Sequence, residues 1–214
     1  MKTFELTKHN RDEAAAVTVD ILQGGGVAVL PTDTSYGLAA DAANPAAVRF
    51  LSQLKERPAG QPLSVVVAER AQAERMTKFT PAAAALWERF LPGPLTLVLE
   101  AVGTAAMAPD VLAEDGTLGI RYPDYEFSVM VAERLGRPYT ATSANRTGRP
   151  PAYSVDEFLS SLPENLLPHL VVDAGTLPIR PVSTVVRPAG AEVEVLREGA
   201  IPKADIMKAI ATNP

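Results

Sequence analysis

Val27-Ala28-Val29-Leu30 is a short, continuous apolar run closed by Pro31, the pattern of a strand buried on both faces. Such a strand needs packing above and below it, so the rest of the chain must supply helices for two sides of a sheet. Ala14, Val17, Ile21 and Leu22 recur at helical spacing and stop at Gly24-Gly25-Gly26, which predicts a helix, a turn and then the strand. A second helix is predicted over Pro45 to Leu54, with Asn44 as its cap and Pro45 in its first turn. Leu63 to Ala68 reads as another buried strand, and Ala71 to Lys78 and Ala82 to Phe90 read as helices.

Strands at Leu95 to Leu99 and Leu118 to Arg121, a helix from Phe127 to Leu135 and a strand at Tyr139 to Ala141 continue the alternation. Ser154 with Glu157 forms a capping-box pattern for a short helix. The tail adds strands near Leu170 to Val172, Thr184 to Val186 and Val193 to Leu196, then a helix near Ala204 to Ile210. Several of these strands follow one another with no helix between, which argues for a mixed sheet rather than a doubly wound one. With no repeat and no long linker, the expectation is one α/β domain over residues 1–214.

The chain contains no cysteine, which removes thiol nucleophiles, disulfides, thiolate zinc sites and iron–sulfur clusters. Its two histidines, His9 and His169, lie far apart and without obvious partners, so a Ser-His-Asp mechanism is a poor fit. The net charge of −5 supplies no general field for nucleic acid. No apolar run approaches the roughly 20 residues of a membrane span, and the N-terminus lacks a signal-peptide core, so the expected location is the cytoplasm with no membrane association. What remains is chemistry by Lys, Arg, Ser, Thr and backbone amides, suited to anions that react once aligned and neutralised.

Gly24-Gly25-Gly26 precedes a strand and lacks a following Gly-Lys-Ser/Thr, so it reads as a helix-to-strand turn rather than a phosphate loop. Pro31-Thr32-Asp33-Thr34-Ser35-Tyr36-Gly37-Leu38 admits two readings: polar groups facing a cleft, or a turn in which Asp33 and the hydroxyls satisfy local backbone. Lys55 and Arg57 are either ordinary cations at a helix C-terminus or a clamp for phosphate oxygens. Arg121 and Arg197 both end predicted strands, the edge at which open α/β sheets bind ligands, and with Lys55 and Arg57 they favour one shared anion site. Thr142-Ser143-Ala144-Asn145 and Ser183-Thr184 add small donors at strand ends. Together these residues indicate an anionic small molecule, with a nucleotide foremost.

Seven segments carry a resemblance: PTDTSYGL, Lys55-x-Arg57-Pro58 with Pro62-Leu63, LPGPLTLVL, GIRYP around Arg121, TSANRTGRP, PVSTVV and LREGAIP. In this order, from about Gly25 to Ile201, they resemble the threonylcarbamoyl-AMP synthase family with its YrdC-type domain. The resemblance implies a twisted mixed α/β sheet with a concave, positively lined cleft. It also implies the joining of ATP, L-threonine and bicarbonate into threonylcarbamoyl-AMP and pyrophosphate, with Mg2+ on the ATP. It implies Thr34, Arg121 and Ser183 for threonine, and Lys55, Arg57, Ser143, Asn145 and Arg197 around ATP, with Thr117 and Gln61 as further nucleotide candidates. Lys55 and Arg57 would act electrostatically, with no general base assigned. A threonylcarbamoyl transferase complex acting on tRNA is the implied partner, and weak RNA binding is compatible with the resemblance. The chain departs from the pattern at Val65-Val66, where some members carry a histidine, and at Pro151, where many carry a serine. Ending soon after the last motif, it looks like the short form of the family. Two rival readings are an RNA-binding module without catalysis and a carbamoyl-adenylate-forming domain. The latter normally accompanies zinc-binding cysteines, which this chain lacks.

Overall fold

The computed structural model describes residues 1–103, 107–163, 165–189 and 192–211. In chain order the elements are β1 (Lys2–Glu5), α1 (Arg11–Gln23), β2 (Val27–Pro31), β3 (Tyr36–Ala40), α2 (Pro45–Leu54), β4 (Ser64–Val66), α3 (Arg70–Met76), α4 (Pro81–Phe90), β5 (Leu95–Glu100), a 3-10 turn at Pro109–Val111, β6 (Thr117–Arg121), α5 (Glu126–Leu135), β7 (Tyr139–Ser143), α6 (Val155–Leu159), β8 (Leu170–Asp173), β9 (Thr184–Ala189), β10 (Glu192–Arg197) and α7 (Lys203–Ala211). Among the described residues ten strands form one open sheet, in the order β1-β8-β2-β3-β7-β4-β6-β5-β9-β10. Parallel pairs (β1/β8, β2/β8, β4/β6, β5/β9) occur together with antiparallel ones, so the sheet is mixed, as the tail strands indicate.

Strand β2 is buried along its whole length. Val27 and Val29 join a core shared with Val48 and Leu51 of α2 and Leu86 of α4, while Ala28 and Leu30 join Ala14 and Leu22 of α1 and Phe127 and Val131 of α5. The continuous apolar run is therefore the signature of two helical layers, one for each direction in which its side chains point. α2 starts where its cap dictates, with the Asn44 side chain accepting from Ala46 N–H and Ala47 N–H. Ser154 and Glu157 make the reciprocal capping box that opens α6.

Two strands escape the sequence pattern. The Tyr36–Ala40 segment doubles back on β2, pairing Pro31 with Tyr36 and Val27 with Ala40. Its connection is a tight turn organised by Thr32, whose hydroxyl donates to Ser35 O and accepts from the N–H groups of Thr34 and Ser35. β1 is a mostly exposed edge strand of sequence KTFE, with no apolar alternation to announce it. In the other direction, the strand predicted over Leu63 to Ala68 shortens to Ser64–Val66. On the face covered by α1 and α5 over β2, β8 and β4, the neighbouring central strands present small or polar, partly exposed residues, Gly37, Ser64, Gly119, Ala141 and Ser143. Small side chains there leave space above the sheet, and that space is the site.

Candidate functional site

A cleft of ≈ 300 Å³ lies over these strands, and Thr34, Lys55, Arg57, Arg121, Ser143, Asn145, Ser183 and Arg197 all line it. Eight of the ten residues singled out from the sequence are thus brought together, from positions spread across more than half the chain. Gln61 and Thr117 are not among the lining residues. Gln61 is exposed and contributes its backbone carbonyl to Arg57. Thr117 opens β6, at the end away from Arg121, and its hydroxyl donates to Asp115 Oδ1 at 2.6 Å. Four residues of strand rise separate Thr117 from Arg121 by roughly 13 Å, which accounts for its exclusion.

Lys55 caps α2 as the helix delivers Val48, Leu51 and Leu54 to the core. Glu56 then takes a left-handed conformation (φ 48°), turning the chain sharply. The Lys55 side chain is buried, and its Nζ donates to Ser143 O (2.5 Å), Asn145 O (2.9 Å) and Asn145 Oδ1 (2.9 Å). Its three N–H groups therefore hold the loop after β7, and Thr147 N–H returns a bond to Lys55 O at 2.7 Å. Ser143 donates to Asn145 Oδ1 at 2.5 Å, completing the Ser143–Asn145 corner.

Arg57 is held by the carbonyls of Gln61 and Pro62, at 3.2 and 2.7 Å. Arg197, at the end of β10, donates to Ser183 O from Nε and Nη2 and to Ser183 Oγ from Nη2 at 3.1 Å. Ser183 Oγ also lies 3.0 Å from Thr96 Oγ1, a cleft-lining hydroxyl that the sequence reading did not single out. Its one signal is a polar residue interrupting the apolar strand LTLVL. Arg121 is bound at 2.5 Å to Asp33, a second residue missed as a site component although it sits inside the PTDTSYGL segment. Neither histidine lines the cleft: His169 Nδ1 accepts from Val27 N–H at 3.0 Å, a structural role at the start of β2, and His9 is exposed.

The charge is unbalanced. Lys55, Arg57 and Arg197 have no carboxylate partner among the described residues; carbonyls and hydroxyls are their only acceptors. Burial pushes the Lys55 ammonium down to about 7, with repulsion from Arg57 adding to it. Burial also lowers Arg57, and Arg197 is lowered by burial and then by repulsion from Arg121. Three cations gathered against their own desolvation form a receptor for a polyanion.

The family model Sua5/YciO/YrdC, described as telomere recombination, matches residues 20–199. A Methanocaldococcus jannaschii relative is 31% identical over 202 residues, 94% of this chain and 93% of its own length. The threonylcarbamoyl-AMP synthase of Bacillus subtilis is 35% identical over 205 residues, and the chain spans 95% of itself but only 58% of that enzyme. The crystal structure of Pyrococcus abyssi Sua5 complexed with L-threonine superposes with a TM-score of 0.86 at 28% identity, covering 98% of this chain and 60% of that one. By sequence, by fold and by the motifs collected in its cleft, the chain belongs to the Sua5/YciO/YrdC family.

Proposed function

We propose that this chain is an L-threonylcarbamoyladenylate synthase, converting ATP, L-threonine and bicarbonate to threonylcarbamoyl-AMP, pyrophosphate and water. The observation that carries the reading is the cleft's surplus of cations without carboxylate partners, Lys55, Arg57 and Arg197, beside an arginine that faces the same space. Threonine's amine adds to bicarbonate or its CO2 equivalent, giving an N-carboxylate. A carboxylate oxygen then attacks the α-phosphorus, and the bond to the β-phosphate oxygen breaks with departure of pyrophosphate.

Arg57, Arg197 and Lys55 neutralise phosphate charge, with Ser143 and Asn145 alongside. Arg121 takes threonine's carboxylate, with Thr34 and Ser183 beside the amino acid. Such a site works by alignment and charge stabilisation and needs no general base from histidine or cysteine.

No group of three or more His, Cys, Asp or Glu side chains among the described residues is arranged to hold a metal ion, and Asp33 is occupied by Arg121. That donor set fits a Mg2+ that arrives on the nucleotide's phosphates and supplies charge neutralisation there. No helix among the described residues is long and apolar enough to cross a membrane. We place the enzyme in the cytoplasm, handing its product to a transferase complex that acts on tRNA.

The test is pyrophosphate release from MgATP and bicarbonate, with and without L-threonine and with L-serine as control. Threonine-dependent release is the expected result. Release indifferent to threonine would indicate another acceptor, and no release, with salt-sensitive RNA binding in its place, would indicate a binding module.

Lys55 makes nucleotide binding pH-dependent, with a sign that can be worked out. A polyphosphate beside Nζ favours the ammonium and raises its pKa from the free protein's value of about 7. Below that pH Lys55 is charged in both states and contributes no slope. Above it, binding must take up a proton, so ATP affinity falls by up to about tenfold per pH unit until the bound-state pKa is passed. Titration calorimetry from about pH 6.5 to about pH 9 should display this fall. The Lys55→Arg variant, charged throughout, should lose it; an identical slope in both proteins would remove Lys55 from the account.

A further inference from the structure

Asp33 and Arg121 are among the few charged side chains withdrawn from solvent, with 2% and 8% of their side-chain surfaces exposed. They come from separate parts of the sheet: Asp33 from the turn between β2 and β3, between the cleft-lining Thr32 and Thr34, and Arg121 from the end of β6, 88 positions later. A guanidinium has five N–H donors. Arg121 Nη1 is directed at the carbonyls of Gly93 (3.3 Å) and Leu95 (3.4 Å), and Nη2 gives one N–H to Asp33 Oδ1 at 2.5 Å. Among the described residues the N–H on Nε and the second on Nη2 have no acceptor. Nε and Nη2 share one edge of the guanidinium, the edge that a carboxylate engages with two hydrogen bonds when each nitrogen presents an N–H to it.

Asp33 is itself fixed. Its Oδ2 accepts from Asp124 N–H at 3.3 Å, and its backbone carbonyl accepts from Arg180 Nη1 at 3.3 Å. The flanking turn is held by the Thr32 hydroxyl. Arg180 belongs to the segment joining β8 to β9, which continues into Val182 and Ser183 on the cleft wall.

We infer that Asp33 is a positioning residue for substrate recognition: it and the two carbonyls leave Arg121 one free donor fork, aimed for the carboxylate of the amino acid. This rests on the reading that Arg121 receives that carboxylate. Asp33 does not touch the substrate. It keeps the guanidinium plane from rotating, and it limits the positive charge at the amino-acid end of the cleft while the nucleotide end stays unbalanced. A role confined to compensating a buried charge would affect the folded protein as a whole; positioning affects one ligand.

The experiment is a set of calorimetric titrations with L-threonine and, separately, with MgATP, on the wild type, Asp33→Asn, Arg121→Gln and the double variant. Asp33→Asn should weaken threonine binding about tenfold or more while MgATP stays within about twofold. The double variant should bind threonine no more weakly than Arg121→Gln alone, because Asp33 acts through Arg121. Threonine affinity lost in Arg121→Gln but unchanged in Asp33→Asn would overturn the positioning role and leave the site reading intact. Threonine affinity retained in Arg121→Gln would overturn both. Equal losses for both ligands in Asp33→Asn would reduce Asp33 to a structural residue. Should Asp33→Asn fail to fold, Asp33→Glu keeps the charge and displaces the guanidinium by a methylene. A folded Asp33→Glu protein should show the same threonine-specific loss, and undiminished threonine affinity in it would overturn the proposal.

Discussion

Arg121→Ala is expected to lose threonine binding and much of the protein's stability together. On the ligand side, a charged hydrogen-bonding partner disappears, at a cost of about 1.5–3 kcal/mol in threonine affinity. On the folding side, Asp33 stays behind, deeply buried with its closest ion-pair partner gone. Removing one member of a buried pair costs roughly 3–5 kcal/mol, a large share of the 5–15 kcal/mol or so that holds a typical domain together. The variant should therefore unfold at markedly lower urea concentration, and where it is still folded it should retain MgATP binding. Alanine at Asp33 as well should restore part of the stability without restoring threonine binding. A variant with wild-type urea midpoint and threonine affinity would show that the Arg121–Asp33 pair matters to neither.

Gly199→Ala should damage the nucleotide end of the cleft although Gly199 itself does not line it, by pushing on the cleft-lining Val182 and Ser183. A Cβ at Gly199 would sit 2.1 Å from Val182 O and 2.8 Å from Ser183 C and O, so backbone must move. The turn it would displace is bound to Thr184, whose buried hydroxyl accepts from Gly199 N–H (3.0 Å) and Ile201 N–H (2.9 Å) and donates to Ile201 O (2.7 Å). Two residues before Gly199, Arg197 grips Ser183. Forcing the two backbones apart costs about 1–3 kcal/mol as overpacking and separates Arg197 from Ser183. ATP affinity should fall about tenfold or more, and the thermal midpoint should drop. Unchanged ATP titrations would mean that Arg197 does not depend on this close approach.

Much of this architecture is legible in local pattern, because the relevant physics is local. Val27–Leu30 declares a strand buried on both faces, Asn44-Pro45 the start of α2, and Ser154 with Glu157 the start of α6. What escaped lacks a local signature. β1 is polar and finds its partner β8 only at residues 170–173. β3, read as a polar segment, is made a strand by the Thr32 turn and by pairing with β2 and β7. The cleft residues were recognisable as motifs, yet nothing in the string joins Asp33 to Arg121 or Lys55 to the Ser143–Asn145 loop; those contacts exist only through the sheet order. Thr117 illustrates the reverse: four positions from Arg121 along β6, it lies at the wrong end of a rigid strand.

The insertion of β8 between β1 and β2 sets a timetable for the chain's first minute of existence. β1 pairs with β8 and β2 takes β8 as its outer neighbour, so neither bond ladder can close until residues 170–173 have been synthesised. At roughly 5–20 residues per second, on the order of ten to thirty seconds pass with the outer edge of the hydrophobic strand β2 unpaired. That edge is an apolar template for wrong pairing in the nascent chain. Ribosome-bound chains truncated before Leu170 should accordingly be more prone to aggregation than chains extended past Asp173.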